Sequence, residues 1–507
     1  MSQIIRALTW IAPKAVMARV SALAALDVAR SYDAAARGRR ATSFKGGGES
    51  ANTALGPALA RLRARSSDMV RNTWIGSRVI DILTAHSVGS GISVVWKDKR
   101  VQDLWDDWTQ SADITGELDF AGVQMIATRS MFERGDSIVR MVPRALDGGR
   151  RIPLALQVLE GDYLDESRDG MIGNAQARLG VQLGPWHERT GYYLHGEHPG
   201  DNMIASQLAA AGASAPYTSQ LIARSDVCHL YRPLRAGQIR GVPVLAPTMM
   251  SARDYADLVD AMIVKARLEA CHGLIVSRAG GGSTLADGLT RKDEKDRTVE
   301  TFSPGMVFRG EPGDTITSIS PSGSGQFEPV SLSALMGIAV GSMVTYEQLT
   351  GDHRYSNYST MKGGERVLRR LIEQLQWISI VPMLMQRITA RWLDVAIMSG
   401  AVRDRKSPYL REYVMPAIEP IDPLKDMQAD VMAVRSGRMT WAQFCASWGV
   451  DPDKQLADIA EWLDKLDAAR DGKGVALDVD PRRPSVSPKS IGKGKPSGKE
   501  GNDDDQD

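Results

Sequence analysis

The sequence of 507 residues contains only three cysteines, at widely separated positions: Cys228, Cys271 and Cys445. Three scattered thiols cannot form a disulfide framework, which fits a reducing compartment. Long hydrophobic runs are also missing, because the most apolar segment, residues 377–385, is short and contains Pro382. We therefore expect no membrane-spanning helix and no membrane partner.

An excess of charge of one sign is absent, since 62 basic and 61 acidic side chains leave a formal net charge of +1. No global field draws the chain to nucleic acid or membrane, so any nucleic-acid contact must depend on local basic groups. The sequence also lacks the Walker A loop GxxxxGK[ST] and the GxSxG nucleophile elbow. We therefore expect no enzymatic activity, no catalytic residue and no cofactor.

The densest group of possible metal ligands is the segment HGEHPGD, which contains His195, Glu197, His198 and Asp201. Two histidines around a turn could bind a metal, so a metal-dependent hydrolase is one alternative function. A polar turn after the strand GYYL is the simpler interpretation, because a Pro-Gly pair breaks the segment. Two Cys-His dipeptides, at 228–229 and 271–272, make a poor zinc set, since neighbouring strand residues point to opposite faces. We expect no metal site.

Hydrophobic periodicity predicts an α+β lobe in the first half of the chain. A Gly/Ser linker over 44–56 leads into one helix over 58–88. A short helix then places Trp105 and Trp108 on nearly one face. The next helix covers 119–134, and short strands follow in the segments SIVRMV, ALQVLE, RTGYYL and VCHLYR.

The second half has a different pattern, which begins at Pro247. A helix of about six turns and a second apolar helix, near 330–345, bracket a Gly/Ser-rich insert with short β-like runs. A loop follows, and then a long helix is predicted over 360–399, bent at Pro382. Further helices follow, including one amphipathic segment over 441–466. From Gly472 the composition is rich in Pro, Gly, Lys and Ser, and predicts disorder.

Five segments, in this order along the chain, resemble the lambda-like phage portal family. The first, residues 62–92, has an LR-R element, an RN pair and V-G-x-G-I. The second, 104–124, has a W-x-x-W, Asp, Gly, Phe, Gln series. The others are LQVLEGDYL, the segment from His229 to Pro243 with RAGQIRGVP, and YEQLTGD followed by NYSTMK. The family commonly has Gly-Glu where this chain has Gly135-Asp136.

The resemblance implies a mainly helical α+β portal fold with wing, stem, clip and crown regions, assembled as a ring of commonly twelve subunits. Double-stranded DNA would pass through the ring without sequence preference during packaging and ejection. The implied partners are the terminase large subunit, the major capsid and scaffold proteins, and head-completion or tail adaptor proteins. The protein would assemble in the host cytoplasm and reside in the virion, at the capsid portal vertex. A scaffolding or adaptor protein that forms no ring is the other alternative.

The portal regions map onto the chain in sequence order. We expect an N-terminal arm and linker (1–60), a wing (61–245), a first stem helix (246–270), a clip (271–326), a second stem helix (327–346), a tunnel loop (347–362), a long wing helix with its following segment (363–420), crown-like helices (421–470) and a disordered tail (471–507).

The candidate DNA-channel residues lie in the tunnel loop and the following helix, namely His353, Arg354, Asn357, Lys362, Arg366 and Arg370. Arg366 and Arg370 are four residues apart and share a helix face, and Arg369 lies beside them. Asp352 and Glu365 would moderate this positive charge. Lys362 stands where the family usually has Arg, so the charge is kept but the planar fork is lost. We also interpret three glycines as flexible points of the loop: Gly351, Gly363 and Gly364.

Overall fold

The computed structural model describes residues 48–145, 151–201, 219–270, 274–278, 290–292, 298–300, 314–318, 327–354, 356–416 and 423–470. The expectations for residues 1–47, for the dipeptide at 271–272 and for the tail from 471 lie outside these ranges. The chain divides into two compact units, residues 1–58 with 234–238, and residues 59–233 with 239–507. In the smaller unit, Asn52 Nδ2 donates a hydrogen bond to the Gly237 carbonyl (2.8 Å).

Two helices open the described chain, α1 (Ala51–Asn72) and α2 (Trp74–Val88). The single helix expected over 58–88 is wrong, because the chain breaks at Thr73. The Thr73 hydroxyl accepts a hydrogen bond from the Gly76 amide (3.2 Å) and so caps α2. The linker expected through Gly56 is also too long, since α1 begins inside it.

Aromatic rings form the centre of the largest core cluster. Strand β1 (Ser93–Trp96) is followed by helices α3 (Lys99–Thr109) and α4 (Phe120–Arg134). Trp105 and Trp108 are both buried on one face of α3, with ring centroids 5.0 Å apart, which confirms the prediction. Trp105 also contacts three rings from other elements, those of Trp96, Phe120 and Trp392.

Two antiparallel sheets complete the first half of the chain and confirm the α+β class. The three-stranded sheet has the order β3-β2-β9, with β2 at Asp136–Pro143, β3 at Leu154–Glu160 and β9 at Val227–Tyr231. The five-stranded sheet follows the chain order from β4 to β8. Its strands are Gly170–Ile172, Ala175–Arg178, Val181–Leu183, Arg189–Leu194 and Gln220–Ala223. All four strands expected from the sequence are present, and β4, β5, β6 and β8 are additional.

Two helices bracket the insert, as expected. They are α5 (Met249–Ala270) and α6 (Phe327–Gly341). The Thr248 and Ser342 hydroxyls are 2.9 Å apart, and those of Tyr255 and Ser331 are 3.2 Å apart, so the two helices run antiparallel. The described parts of the insert are two antiparallel strand pairs. They are β10 (Leu274–Arg278) with β13 (Asp314–Ser318), and β11 (Thr290–Lys292) with β12 (Thr298–Glu300).

A long helical run follows the short helix α7 (Tyr346–Thr350). It consists of α8 (Tyr358–Leu375), a π-helical segment (Gln376–Met385) and α9 (Gln386–Met398). Pro382 lies within the π-helical segment, whose widened turns accommodate a residue with no amide hydrogen for the helical ladder. The bend expected at Pro382 stays a prediction.

The remaining elements are one strand and three helices, namely β14 (Arg411–Val414), α10 (Pro423–Arg435), α11 (Trp441–Ser447) and α12 (Pro452–Arg470). Strand β14 pairs with β1, about 315 residues earlier in the sequence, in an antiparallel register that matches Trp96 with Arg411. The amphipathic segment over 441–466 is therefore divided between two helices. Among the described residues, none of the helices has the length and hydropathy required to span a bilayer.

Candidate functional site

The loop that the sequence singles out is shorter and more ordered than expected. The Thr345 side chain caps α7, and a Gln348 side chain bonds back to the Thr345 amide (3.1 Å). Helix α7 ends at Gly351, whose φ of 70° is readily adopted by glycine. Helix α8 then begins at Tyr358, so the loop proper covers only residues 351–357.

Asp352 is the hydrogen-bonding centre of this loop. Its carboxylate accepts hydrogen bonds from the Tyr346 hydroxyl (3.1 Å), the Arg354 amide (3.1 Å) and the Arg354 guanidinium (2.8 Å). The bonds from Arg354 hold the pKa of the Asp352 carboxyl well below its usual range. The charge of Arg354 is therefore balanced within the loop, and the exposed His353 side chain lies next to it.

Asn357 has a structural role at the end of the loop. Its side-chain oxygen accepts a hydrogen bond from the Thr360 amide, and the Thr360 hydroxyl accepts one from the Asn357 amide, both at 2.9 Å. This capping box starts α8. The interpretation of Gly363 and Gly364 as flexible loop residues is wrong, because both lie inside α8. A Cβ at Gly364 would lie 3.1 Å from Thr345 Cγ2, so this glycine allows close approach of α8 to the α7 cap.

Lys362 forms an ion pair with the C-terminal helices. Its ammonium lies 2.7 Å from Asp426 on α10 and 3.2 Å from the Tyr358 hydroxyl. The hydrogen bond to Asp426 raises the pKa of Lys362 above its ordinary value. The ammonium of Lys425 lies over the same Tyr358 ring, 5.2 Å from its centroid. Lys362 therefore connects the first turns of α8 to α10.

Arg366 and Arg370 are the exposed cations of α8. They lie four residues apart on one helix face, whereas the neighbouring Arg369 pairs with Glu365 (2.5 Å). Arg366 lines a cleft of about 490 Å³ that also contains Trp377 on the π-helical segment and Trp448. Of the six candidate residues, His353, Arg366 and Arg370 are exposed and form no ion pair or capping hydrogen bond within the described ranges, whereas Arg354, Asn357 and Lys362 do.

Several residues that carry the portal resemblance form a buried ionic network. Asp136 on β2 lies 2.8 Å from the Arg240 guanidinium and 3.0 Å from His229 Nε2, and none of the three side chains is exposed. His229 Nδ1 lies 2.9 Å from the Arg189 guanidinium. Because arginine can only donate, Nδ1 accepts, and Nε2 carries the proton that His229 donates to Asp136.

Burial and the neighbouring charged groups act in opposite directions on the pKa values of this network. Burial alone would raise the pKa of Asp136, but Arg240 and the His229 hydrogen bond outweigh it and hold this pKa well below its usual range. Burial also lowers the pKa of His229 to about 4, although Asp136 acts in the opposite direction. The network is therefore an Asp–Arg ion pair with a neutral histidine. It joins the two sheets, because Arg189 lies on β7 and His229 on β9.

Gly135 and Gly241 bring two chain segments into direct backbone contact beside this network. A Cβ at Gly241 would lie 1.9 Å from the Gly135 carbonyl oxygen, and Gly135 has a φ of 89°. The Gly241 amide donates to Asp136 (2.6 Å). The resemblance pointed to these residues, but no spacing rule indicated that they meet. Gln124, another residue that carries the resemblance, also joins two chain segments. Its side-chain oxygen accepts a hydrogen bond from the Ile92 amide, and its side-chain nitrogen donates one to the Ile92 carbonyl.

The structure does not bring His195 and His198 into one ligand set. His195 Nε2 lies 3.8 Å from Asp165, whereas His198 Nε2 lies 3.3 Å from Glu160. Among the described residues, the metal-capable group comprises Glu160, Asp162 and His198. Arg134 already bridges Glu160 (3.2 Å) and Asp162 (2.7 Å), so ion pairing accounts for these carboxylates.

The side chains described above make packing contacts and ion pairs, and burial raises the pKa of the Cys228 thiol to about 12. Residues 37–376 match the family profile described as phage portal protein, lambda family. The chain belongs to this family, which is structural rather than enzymatic.

Individual relatives are similar over most of their length. The chain is 22% identical over 424 residues to the probable portal protein of Halomonas phage phiHAP-1, and the alignment covers 79% of each chain. It is 20% identical over 468 residues to portal protein B of Escherichia phage lambda, covering 80% of this chain and 83% of that one.

Solved structures with a similar arrangement include a chain from the neck of a native gene transfer agent particle, computed with C12 symmetry. It is 13% identical, with a TM-score of 0.43, and the alignment covers 76% of this chain and 94% of that one. A portal protein of the HK97 family from Corynebacterium diphtheriae is 10% identical with a TM-score of 0.32, over 72% of this chain and 96% of that one.

Proposed function

We propose that this chain assembles as a ring, commonly of twelve subunits, that forms the DNA channel at one vertex of a phage capsid. The genome would enter through the ring during packaging and leave through it during ejection. The observation that carries the proposal is the family match over residues 37–376. The ring would assemble in the host cytoplasm and remain in the virion.

The antiparallel pair α5–α6 supports the assignment of these helices to the stem. No charged residue occurs in the sequence between Glu328 and Glu347. The outer face of α6 therefore exposes apolar side chains, including Val340 at 79%, Val330 and Met336. Exposed apolar faces of this kind are characteristic of protein interfaces. In a closed ring this face would pack against a different face of the neighbouring subunit.

Positive charge along the channel would act without sequence preference, through the phosphates of the duplex. Ring symmetry multiplies each exposed cation by the number of subunits, so a sliding channel requires few of them. We assign this role to His353, Arg366 and Arg370, with a smaller part for Arg354 and Lys362, whose charges Asp352 and Asp426 already balance.

The insert over 271–326 would be the clip, and we propose that it carries the contacts to the terminase large subunit and to head-completion or tail adaptor proteins. The major capsid and scaffold proteins would surround the wing, residues 61–245. Deleting the insert should leave heads that cannot recruit terminase, measured by co-purification of terminase with the heads. Terminase recruitment at the normal level would refute this assignment.

Negative-stain electron microscopy of the purified chain tests the function as a whole. A portal should form rings with an axial hole about as wide as a DNA duplex, roughly 20 Å. Particles without a central channel would favour a scaffolding or adaptor protein. A bound metal together with hydrolytic turnover would instead favour the enzyme alternative.

A further inference from the structure

The pairing of β1 with β14 brings two basic segments of the chain together. The register places Val95 opposite Glu412 and Trp96 opposite Arg411, and the Lys97 amide donates a hydrogen bond to the Leu410 carbonyl (3.1 Å). Residues 97–100 therefore lie beside residues 403–411, although about 300 residues separate them in sequence. These elements are different from those that hold the candidate channel residues.

Six exposed cations lie on these two segments, and we call them the β1–β14 basic patch: Lys97, Lys99, Arg100, Arg403, Arg405 and Lys406. A seventh cation, Arg411, stacks over the Trp96 ring with a centroid distance of 5.3 Å. The carboxylates on the same segments are fewer, namely those of Asp98, Asp103, Asp404 and Glu412. The patch is therefore positive in a chain whose formal net charge is only +1.

The loop that carries half of the patch is held in one conformation. The Tyr409 hydroxyl donates to the Arg403 carbonyl (2.7 Å) and closes the loop. The Arg405 guanidinium lies 3.6 Å from the Tyr409 ring centroid and 3.3 Å from Asp98. That ion pair connects the loop to the first segment. Because the loop is already ordered, binding a partner would cost little conformational entropy.

Lys99 and Arg100 are placed where the fold does not favour them. They occupy the first turn of α3, directly after its cap Asp98. The amino-terminal end of a helix carries partial positive charge, so cations in the first turn reduce helix stability. Neither side chain lies within 4.0 Å of a carboxylate in the part of the chain that the structure describes. An anionic partner would relieve this repulsion.

We propose that the β1–β14 basic patch binds the phosphate backbone of duplex DNA, as a second DNA contact distinct from the channel. Protein interfaces usually centre on exposed aromatic or apolar anchors. Here both nearby aromatic rings, of Trp96 and Tyr409, are covered by arginine side chains. Leu410 is an exposed large apolar side chain on the loop, but the six exposed cations outnumber it, so the surface offers mainly charge. Phosphate contacts require only such charge. This inference rests on the proposed function, because only a portal would have packaged DNA nearby.

A salt titration of DNA binding tests the patch. The full chain is mixed with a short fluorescent duplex, and the dissociation constant is measured by anisotropy between about 50 and 200 mM salt. The variant K99Q/R100Q/R403Q/K406Q removes four positive charges, all on side chains that make no ion pair within the described ranges. Each lost phosphate contact should reduce the log–log salt slope by about 0.9, so four should reduce it by about 3.6.

A matched variant, R61Q/R65Q/R435Q/R438Q, removes the same charge from exposed positions on α1 and at the end of α10. It should keep nearly the full slope. Equal losses in both variants would mean a general charge effect and would overturn the proposal, as would an unchanged slope in the patch variant. Competition by polyglutamate that matches competition by DNA would make the patch a protein-docking surface instead.

A third variant, R366Q/R370Q, removes two of the proposed channel cations, and its loss of salt slope should add to that of the patch variant if the two sites bind DNA independently. Ring formation, followed by negative-stain microscopy, should be normal in all three variants. Normal rings together with an unchanged salt slope in the patch variant would therefore refute the further inference and leave the proposed function intact. Absence of rings from the unmodified chain would refute the proposed function without bearing on the anisotropy result.

Discussion

Lys362 Nζ lies 2.7 Å from Asp426 Oδ1, a contact between side chains that are 64 residues apart in the chain. This ion pair connects α8, directly after the loop, with α10. We expect K362E to loosen α10, because the glutamate would repel Asp426. Hydrogen exchange of the amides over 423–435 should become faster in this variant. The reversed pair K362E/D426K should restore slow exchange, whereas fast exchange in the double variant would show that the contact does not hold α10.

The Asp136–Arg240 pair should be essential for the stability of the larger unit. Replacing Asp136 by Asn removes the nearest carboxylate from the buried Arg240 and leaves it the more distant Glu166 (3.6 Å). Breaking a buried ion pair in this way typically costs about 3–5 kcal/mol of the free energy of unfolding. Urea denaturation measures this change. The same substitution at the exposed Asp404 should shift the free energy of unfolding by less than about 0.5 kcal/mol. Similar small values for both would contradict a central role for the network.

Stability should fall as the solution becomes acidic, beginning near pH 6.5. The pKa of His229 is about 4 in the folded chain, below its ordinary value of 6.5. Between these values the unfolded chain binds more protons than the folded chain, so stability is lost as the pH falls from about 6.5 to about 4. Asp136, whose folded pKa is depressed, adds a further loss below its ordinary value of 3.8.

The variant H229N isolates the histidine contribution. Asparagine can donate to Asp136 and accept from Arg189, but it does not titrate. We expect this variant to be less stable than the unmodified chain at neutral pH, since it fills less of the buried space. Its free energy of unfolding should depend less on pH between about 4 and 6.5. An unchanged pH dependence would assign the effect to other groups.

Gly363 and Gly364 are adjacent in α8 but should respond differently to alanine. A Cβ at position 363 has open space, so G363A should raise the free energy of unfolding by about 0.5–1 kcal/mol. At position 364 the contact with Thr345 should remove part or all of that gain. If G363A instead impaired DNA packaging without lowering stability, backbone flexibility at this point of the helix would be functional after all.

Arg366 and Arg370 should affect DNA passage but not assembly. The variant R366E/R370E would place repulsive charge beside the phosphates in every subunit of the ring, and we expect fewer DNA-filled heads while rings still form. Microscopy of the rings and nuclease protection of packaged DNA are the two measurements. R435E/R438E makes the same charge change at the end of α10 and should package normally. Normal packaging by R366E/R370E would remove this helix face from the DNA path.

Local patterns were sufficient for the features that depend on nearby residues. The spacing of Trp105 and Trp108 predicted their common face, and periodicity predicted the long helical run that contains Pro382. Periodicity failed where one side chain interrupts a regular pattern. The break at Thr73 depends on a single capping hydroxyl, and the apolar pattern continues through it, so one helix was expected where the structure has two.

Long-range partners could not be read from the sequence. Asp352 lies two residues from Arg354 and was expected to moderate the charge of the loop, but nothing near Lys362 in the sequence indicates its pairing with Asp426, 64 residues later. The same limit applies to Asp136, which the resemblance marked only as a departure from the usual glutamate. The Asp136 side chain is one methylene shorter than glutamate, and its carboxylate lies within hydrogen-bonding distance of both Arg240 and His229.

The contact between Gly135 and Gly241 has a consequence for genetics. Most damaging core substitutions can be compensated, because a neighbouring side chain can be exchanged for a smaller one. Here a larger residue at position 241 meets a backbone carbonyl, and position 135 already carries the smallest residue. A suppressor screen that starts from G241A should therefore recover true revertants and no second-site change at Gly135. The two glycines should therefore be retained together, because no series of single compensating substitutions can replace them.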